Sequence, residues 1–214
     1  MNRRKNIENL REGYHIFKNT YLPQHKELFS KLYQQNQNPS VLVISCSDSR
    51  VEPSIIMQCS PGEIFVIRNV ANIVPPYEKD GNYHGTSAAL EFGVTALNIA
   101  HILILGHRKC GGIEKLMTTK YRNNNSMAFL EKWMSIFEDV KREVENDGIS
   151  MSIEEKILLC EERGIVKSIQ NLHTFPWIKE RVMQQKLFIH GWLFDIATGE
   201  MLEYKADTNR FTAL

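Results

Sequence analysis

The chain has 214 residues, the length of one domain or one domain with a small appendage. With 43% hydrophobic and 24% charged residues, the composition excludes a largely disordered, collagen-like or low-complexity protein. Lys and Arg number 26 against 25 Asp and Glu, a net charge of +1, so neither a nucleic-acid partner nor an acidic tail is expected.

In chain order, the start Met1-Asn2-Arg3-Arg4-Lys5 is basic but has no apolar stretch behind it, which argues against a secretory leader. Ile7, Leu10, Tyr14 and Phe17 recur at spacings of three and four, the signature of an amphipathic helix. Pro23 is expected to break it, and Leu28, Phe29, Leu32 and Tyr33 begin a second helix. A stripe on so polar a segment must cover its own domain or a partner subunit. Polar residues 34–39 then separate this helical arm (residues 1–38) from the core, all within a single domain spanning residues 1–214.

Val41-Leu42-Val43-Ile44, Ile64-Phe65-Val66-Ile67 and Ile102-Leu103-Ile104-Leu105 are solid apolar runs, as in strands buried on both faces. A helix over Ser87–Asn98, with Leu90, Val94 and Leu97 on one face, lies before the third run. The expected fold is α/β, a central and mostly parallel sheet covered by helices. The C-terminal half reads as helical. Phe129, Trp133, Ile136, Val140 and Val144 form one long core stripe, Ser152 and Glu155 a capping box, and Pro176 opens a short helix. Leu187–Phe194 and Met201–Tyr204, joined through Ala197-Thr198-Gly199, close the chain as a β-hairpin. The 15 residues from Phe92 to Gly106 are the longest uncharged apolar stretch, short of the about 20 needed to span a bilayer, so no membrane association and a cytoplasmic location are expected.

The chemistry lies in two loops that each follow a buried strand. One is Ser45-Cys46-Ser47-Asp48-Ser49-Arg50 and the other Gly106-His107-Arg108-Lys109-Cys110-Gly111-Gly112. Ligands of open parallel sheets bind beyond the carboxyl ends of the strands, so the two loops can converge. Cys46, His107 and Cys110 form the Cys₂His donor set that Zn²⁺ prefers, with a fourth position open for catalysis. Asp48 is placed either to bind the metal as a fourth ligand in a closed state or to stand off it, held in a bidentate pair by Arg50. Gly111-Gly112 permit close backbone approach, and the amides opening the following helix could receive an anionic product. Cys59 and Cys160 lack such company and read as packing residues, and His190 as a hydrogen-bonded structural histidine.

Together with Pro61-Gly62-Glu63, Arg68-Asn69-Val70-Ala71-Asn72, Gly85–Glu91 and His190-Gly191-x-x-Phe194-Asp195, these loops resemble the β-class carbonic anhydrases. The resemblance runs over roughly residues 25–205. It implies reversible hydration of carbon dioxide to bicarbonate by a zinc-bound hydroxide, with one zinc per subunit on Cys46, His107 and Cys110. It also implies homodimers, or homotetramers built from them, with N-terminal helices packed across the partner. By resemblance Gln37 and Phe65, nine residues before and nineteen after Cys46, line the substrate pocket together with Gly111. The family's second style, with a tryptophan three residues before the cysteine, is not matched, because Val43 stands there. Two positions depart from the pattern: Phe92 replaces an aromatic hydroxyl, and Arg108-Lys109 follow the zinc histidine where a small residue is usual. Two other functions compete, hydrolysis of carbonyl sulfide or carbon disulfide at the same zinc, and a zinc-stabilised interaction module without turnover.

Overall fold

The computed structural model describes residues 3–79, 84–118 and 127–214, so Met1 and Asn2 of the basic start lie outside the described residues. The chain divides into two units, Met1–Asn38 and Pro39–Leu214.

The first unit runs α1 (Arg3–Ile16), a π-helical turn (Phe17–Tyr21), α2 (Leu22–Gln24) and α3 (Lys26–Gln34). Pro23 does not break the helix as expected. The Leu22 amide donates to Phe17 O in the wider π pattern, and Pro23 then occupies the first turn of α2, where its missing N–H costs no bond. The break comes at His25 (φ −115°, ψ 29°), whose ring stacks on Tyr21 at 4.0 Å between centroids. Phe17 and Tyr21 both meet Phe29 edge-on, pinning the bend. No described side chain of this unit is buried, and Ile7, Leu10 and Tyr14 are exposed.

The second unit is built on a six-stranded sheet of order β2-β1-β3-β4-β5-β6. β1 (Val41–Cys46), β2 (Ile64–Asn69), β3 (His101–His107) and β4 (Phe188–Phe194) are parallel, while β5 (Met201–Lys205) and β6 (Arg210–Ala213) add antiparallel. The predicted hairpin is thus the start of a three-strand meander. β6 escaped the sequence reading because Arg210-Phe211-Thr212-Ala213 carries too short an apolar pattern. The central strands β1 and β3 are buried almost throughout, as solid apolar runs require.

After β1 the chain moves outward to β2, and after β3 it moves the other way to β4. The tips of β1 and β3 therefore flank the point where the strand order reverses. Crevices form there because the following segments diverge.

α4 (Pro53–Ile56) follows the first loop, and α5 (Gly85–Glu91) continues into a π-helical turn (Phe92–Ala96) that ends before Asn98 in left-handed backbone (φ 56°). α6 (Gly111–Thr118) opens directly behind the second loop. The expected long stripe is divided into α7 (Ala128–Met134), a 3₁₀ turn (Ser135–Phe137) and α8 (Glu138–Asp147). Phe129 is 95% exposed, so it is no core residue; the tighter 3₁₀ turn rotates the face of α7 relative to α8. Trp133 is half-buried and donates from Nε1 to Val70 O at 2.8 Å. α9 (Ile153–Leu172) starts at the predicted capping box, Ser152 accepting from the Glu155 amide, and α10 (Pro176–Met183) starts at its proline. Cys160 is buried in an apolar cluster, and His190 Nε2 lies 3.1 Å from His101 Nδ1. Among the described residues, no helix is long and apolar enough to cross a membrane.

Candidate metal centre

Register decides why two distant loops meet. Ser45 pairs with Leu105 on the neighbouring parallel strand, so Cys46 and His107 leave the sheet at the same edge. Lys109 then adopts left-handed backbone (φ 60°) and turns the chain back, setting Cys110 at the mouth of α6. The Glu114 amide donates to Cys110 O, so Cys110 caps the helix. At Gly112 a Cβ would lie 2.8 Å from Val70 Cγ1 and 3.1 Å from Ala71 Cβ, so glycine lets α6 close onto residues 70–72. Ala71 and Asn72 are both left-handed (φ 63° and 47°), a strained pair that aims the Ala71 amide at Cys46 Sγ, 3.4 Å away.

The ligand atoms of Cys46, His107 and Cys110 lie within 4.8 Å of one another, and all three residues are buried. The two sulfurs are 4.0 Å apart, far beyond a disulfide bond. Two sulfurs each about 2.3 Å from a tetrahedral ion stand about 3.8 Å apart, so this spacing suits zinc. His107 Nδ1 is 2.8 Å from Arg108 O. A carbonyl can only accept, so Nδ1 carries the hydrogen and Nε2 presents a bare lone pair. That Nε2 is buried without a hydrogen-bond partner, an orphan that a metal would satisfy. The donor set therefore fits the ion on geometry and chemistry.

Asp48 stands beside this group. Arg50 donates to Oδ1 from Nε at 2.9 Å and to Oδ2 from Nη2 at 2.7 Å, and its backbone amide also donates to Oδ1. Nη2 reaches Lys109 O at 3.0 Å as well, so one guanidinium ties the two loops together. Asp48 Oδ2 lies 3.9 Å from His107 Nε2, next to the three ligand atoms but engaged by Arg50. The first loop is held from below by Arg68, which donates to the carbonyl oxygens of Cys46, Asp48 and Val51 and to Glu52.

Electrostatics follow from these contacts. The hydrogen bond from Arg50 holds the Asp48 carboxyl well below the usual carboxylate range. Cys46 is lowered, first by the hydrogen bond from Cys110, against burial, and further by His107 and the amides of Asp48 and Ala71. Cys110 is raised, because its proton is engaged by the Cys46 sulfur and the site is buried. Burial opposes charge on His107, yet the neighbouring Cys46 sulfur, the Arg108 carbonyl and the Asp48 charge carry it above its ordinary value. A dication in the protons' place would reverse the rise at Cys110 and His107 and deepen the fall at Cys46 and Asp48.

The remaining pocket candidates are placed differently. Gly111 is exposed at the first position of α6, and an added Cβ there would meet nothing within 4 Å. Phe65 sits half-buried on β2 opposite Leu42, 6.0 Å from the ring of Phe92. Gln37 belongs to the first unit, exposed in the irregular segment after α3. A cavity of about 1090 Å³ is bounded by Asn69, Val70, Thr86 and Trp133 and includes none of the three buried ligand residues. Chemistry, not size, marks the site.

Sequence reading missed Glu161. It is buried on α9 and accepts the Cys110 amide at 3.0 Å. Its signal was a charge four residues after Ile157 and four before Ile165, in line with the apolar face.

The Carbonic anhydrase family matches residues 41–201. Beta carbonic anhydrase 3 of Arabidopsis thaliana is 36% identical over 194 residues, which is 90% of this chain and 74% of that protein. The carbonic anhydrase of Synechococcus elongatus is 32% identical over 208 residues, 97% of this chain and 75% of its own. Among solved structures, the β-carbonic anhydrase CcaA superposes with a TM-score of 0.92 at 33% identity, covering 98% of this chain and 92% of that one. A tetrameric β-carbonic anhydrase of Sordaria macrospora superposes at 0.81 with 28% identity, covering 93% and 96%.

Proposed function

The chain belongs to the β-class carbonic anhydrase family, and from that premise we propose how its own residues carry out zinc-dependent, reversible hydration of carbon dioxide to bicarbonate and a proton. The observation that carries the reading is the convergence of two thiols and one partnerless imidazole nitrogen from two strand tips. Cys46, His107 and Cys110 would hold one zinc ion per chain. When bound, the ion supplies Lewis-acid activation of water at neutral pH.

The other residues orient and exclude. Asp48, kept ionised by Arg50, accepts the O–H of the attacking water and so turns a lone pair toward carbon dioxide. Both of its oxygens are occupied by Arg50, which favours the role of hydrogen-bond acceptor over that of fourth ligand. The N-terminal amides of α6 at Gly111 are placed to receive the bicarbonate anion. Likeness to the family supports Gln37 and Phe65 as pocket residues for carbon dioxide. Phe65 is level with Leu42, four residues short of Cys46, on the order of 13 Å along the sheet. At that distance it serves the site of a second copy of the chain. Self-association, as a dimer at least, is further supported by the uncovered stripe of α1 and by the tetrameric relative from Sordaria macrospora.

We assign the protein to the cytoplasm, where reducing conditions keep Cys46 and Cys110 as free thiols. The family and its named relatives support carbon dioxide hydration over both sulfur-substrate hydrolysis and a module without turnover. The test is zinc content with stopped-flow hydration. Cys46→Ser and His107→Ala are expected to lose zinc and activity together. Asp48→Asn is expected to keep zinc and lose activity by about 100-fold or more, the usual scale of a positioned proton-accepting group. Full activity in Asp48→Asn removes Asp48 from the mechanism.

A further inference from the structure

Behind the metal loop lies a charged cluster that the reaction does not use. Glu161 on α9 is 4% exposed, and both its oxygens face donors. Oε1 accepts the Cys110 amide at 3.0 Å, and Oε2 lies 3.4 Å from Arg108 Nη1. Arg108 is anchored on the same helix through Leu158 O at 2.8 Å and Glu162 Oε1 at 2.5 Å. Its carbonyl oxygen accepts His107 Nδ1, and its own amide donates to Phe194 O at 2.8 Å. Arg108 therefore touches the support of two ligands at once: His107 through its main chain, and Cys110 through Glu161.

The surrounding space excludes a direct chemical role. The void bounded by His107, Cys110, Phe137 and Glu161 has a volume of about 10 Å³, too small for carbon dioxide or bicarbonate. A buried carboxylate without a cation is costly and turns toward water when it can. Without Arg108 the Glu161 carboxylate would lose its compensating charge and its hold on the Cys110 amide. The amide of a capping residue set free in this way lets its side chain wander.

We propose that Arg108 and Glu161 are a pair of positioning residues that set the metal affinity of this chain, with Glu161 fixing Cys110 and Arg108 fixing both Glu161 and the ring of His107. The proposal rests on the assignment of Cys46, His107 and Cys110 as zinc ligands. It gives a purpose to Arg108, which stands where the family pattern has a small residue. Partners that orient metal ligands typically change metal affinity by about 10- to 100-fold when removed.

The experiment measures zinc release from the full, zinc-loaded chain to a chromophoric chelator, together with the sulfur-to-metal absorption of the cobalt-substituted protein. Wild type must first bind zinc stoichiometrically, and lose it on Cys46→Ser. Failure at that step overturns the ligand assignment itself, and the pair with it. Glu161→Ala, which removes the acceptor, is expected to release zinc about 10- to 100-fold faster and to shift the cobalt spectrum. Glu161→Gln keeps an acceptor oxygen for the Cys110 amide and should stay within about threefold of wild type. Arg108→Ala should release zinc as fast as Glu161→Ala, and Arg108→Ala/Glu161→Gln should recover most of that loss, because no uncompensated charge remains. Equal release from Glu161→Ala and Glu161→Gln, at whatever rate, overturns the role of Glu161, and this pair decides alone if Arg108→Ala fails to fold. A double variant no slower than Arg108→Ala overturns the pairing.

Discussion

Asp48 is the residue at which the electrostatics can be read most directly. Its carboxyl is depressed by Arg50 below the roughly 3.9 of a free aspartate. A depressed acid adds stability that is complete above the unfolded value and fades only as pH falls toward the folded one. The gap in thermal midpoint between wild type and Asp48→Asn should therefore be constant from pH 7 to pH 5 and close below about pH 4. Circular dichroism melts across that range check it, and a gap that narrows between pH 7 and 5 contradicts the pair. Cys46, His107, Cys110, Asp48 and Arg50 were legible in the sequence because each lies within six residues of a solid apolar strand. Glu161 was not, since its bond to Cys110 spans 51 residues and its own segment shows only a charge among apolar neighbours. Arg68 was legible only as part of a family motif, and its four acceptors came with the fold.

Helix α6 depends on an absence. Gly112 lets it approach Val70 and Ala71, and an alanine there must push against the strained left-handed pair. Gly112→Ala is expected to cost about 1–3 kcal/mol, measured by urea unfolding, the usual range for overpacking. On α9, Ser152→Ala should cost about 1 kcal/mol by removing the helix cap, and the thermal midpoint should fall accordingly. Strands and caps were readable because their signals are local: apolar runs, and a serine three residues before a glutamate. The division between α7 and α8 was not, because the apolar spacing from Trp133 to Val140 continues through the 3₁₀ turn without a glycine or proline to mark it. Pro23 misled for the opposite reason. It is a true helix breaker, placed two residues beyond the end of a π-helical turn that absorbs it.

The whole molecule explains why strand tips so far apart in sequence share a centre. The chain leaves β1 and β3 in opposite directions, and the metal loops occupy the gap. Parallel pairing was legible from composition, but the order of strands was not, since nothing in an apolar run names its neighbour. The stripe of α1 is expected to be an interface. Leu10→Asp with Tyr14→Asp should shift sedimentation toward a smaller species, and an unchanged oligomer would show that the stripe has another purpose. With Cys46 and Cys110 as the proposed ligands, zinc would also act as a cross-link, because they are 64 residues apart. Closing a loop of that length is worth about 4 kcal/mol in the unfolded state, so chelation should lower the thermal midpoint by roughly 10 °C.

That same separation sets an order of events during synthesis. When Cys46 leaves the ribosome, neither His107 nor Cys110 has yet been translated, and a lone thiol holds a divalent ion weakly. On the proposed ligand set, the nascent chain must complete the first three strands of its sheet before it can capture its metal, so loading reports that these three have come together.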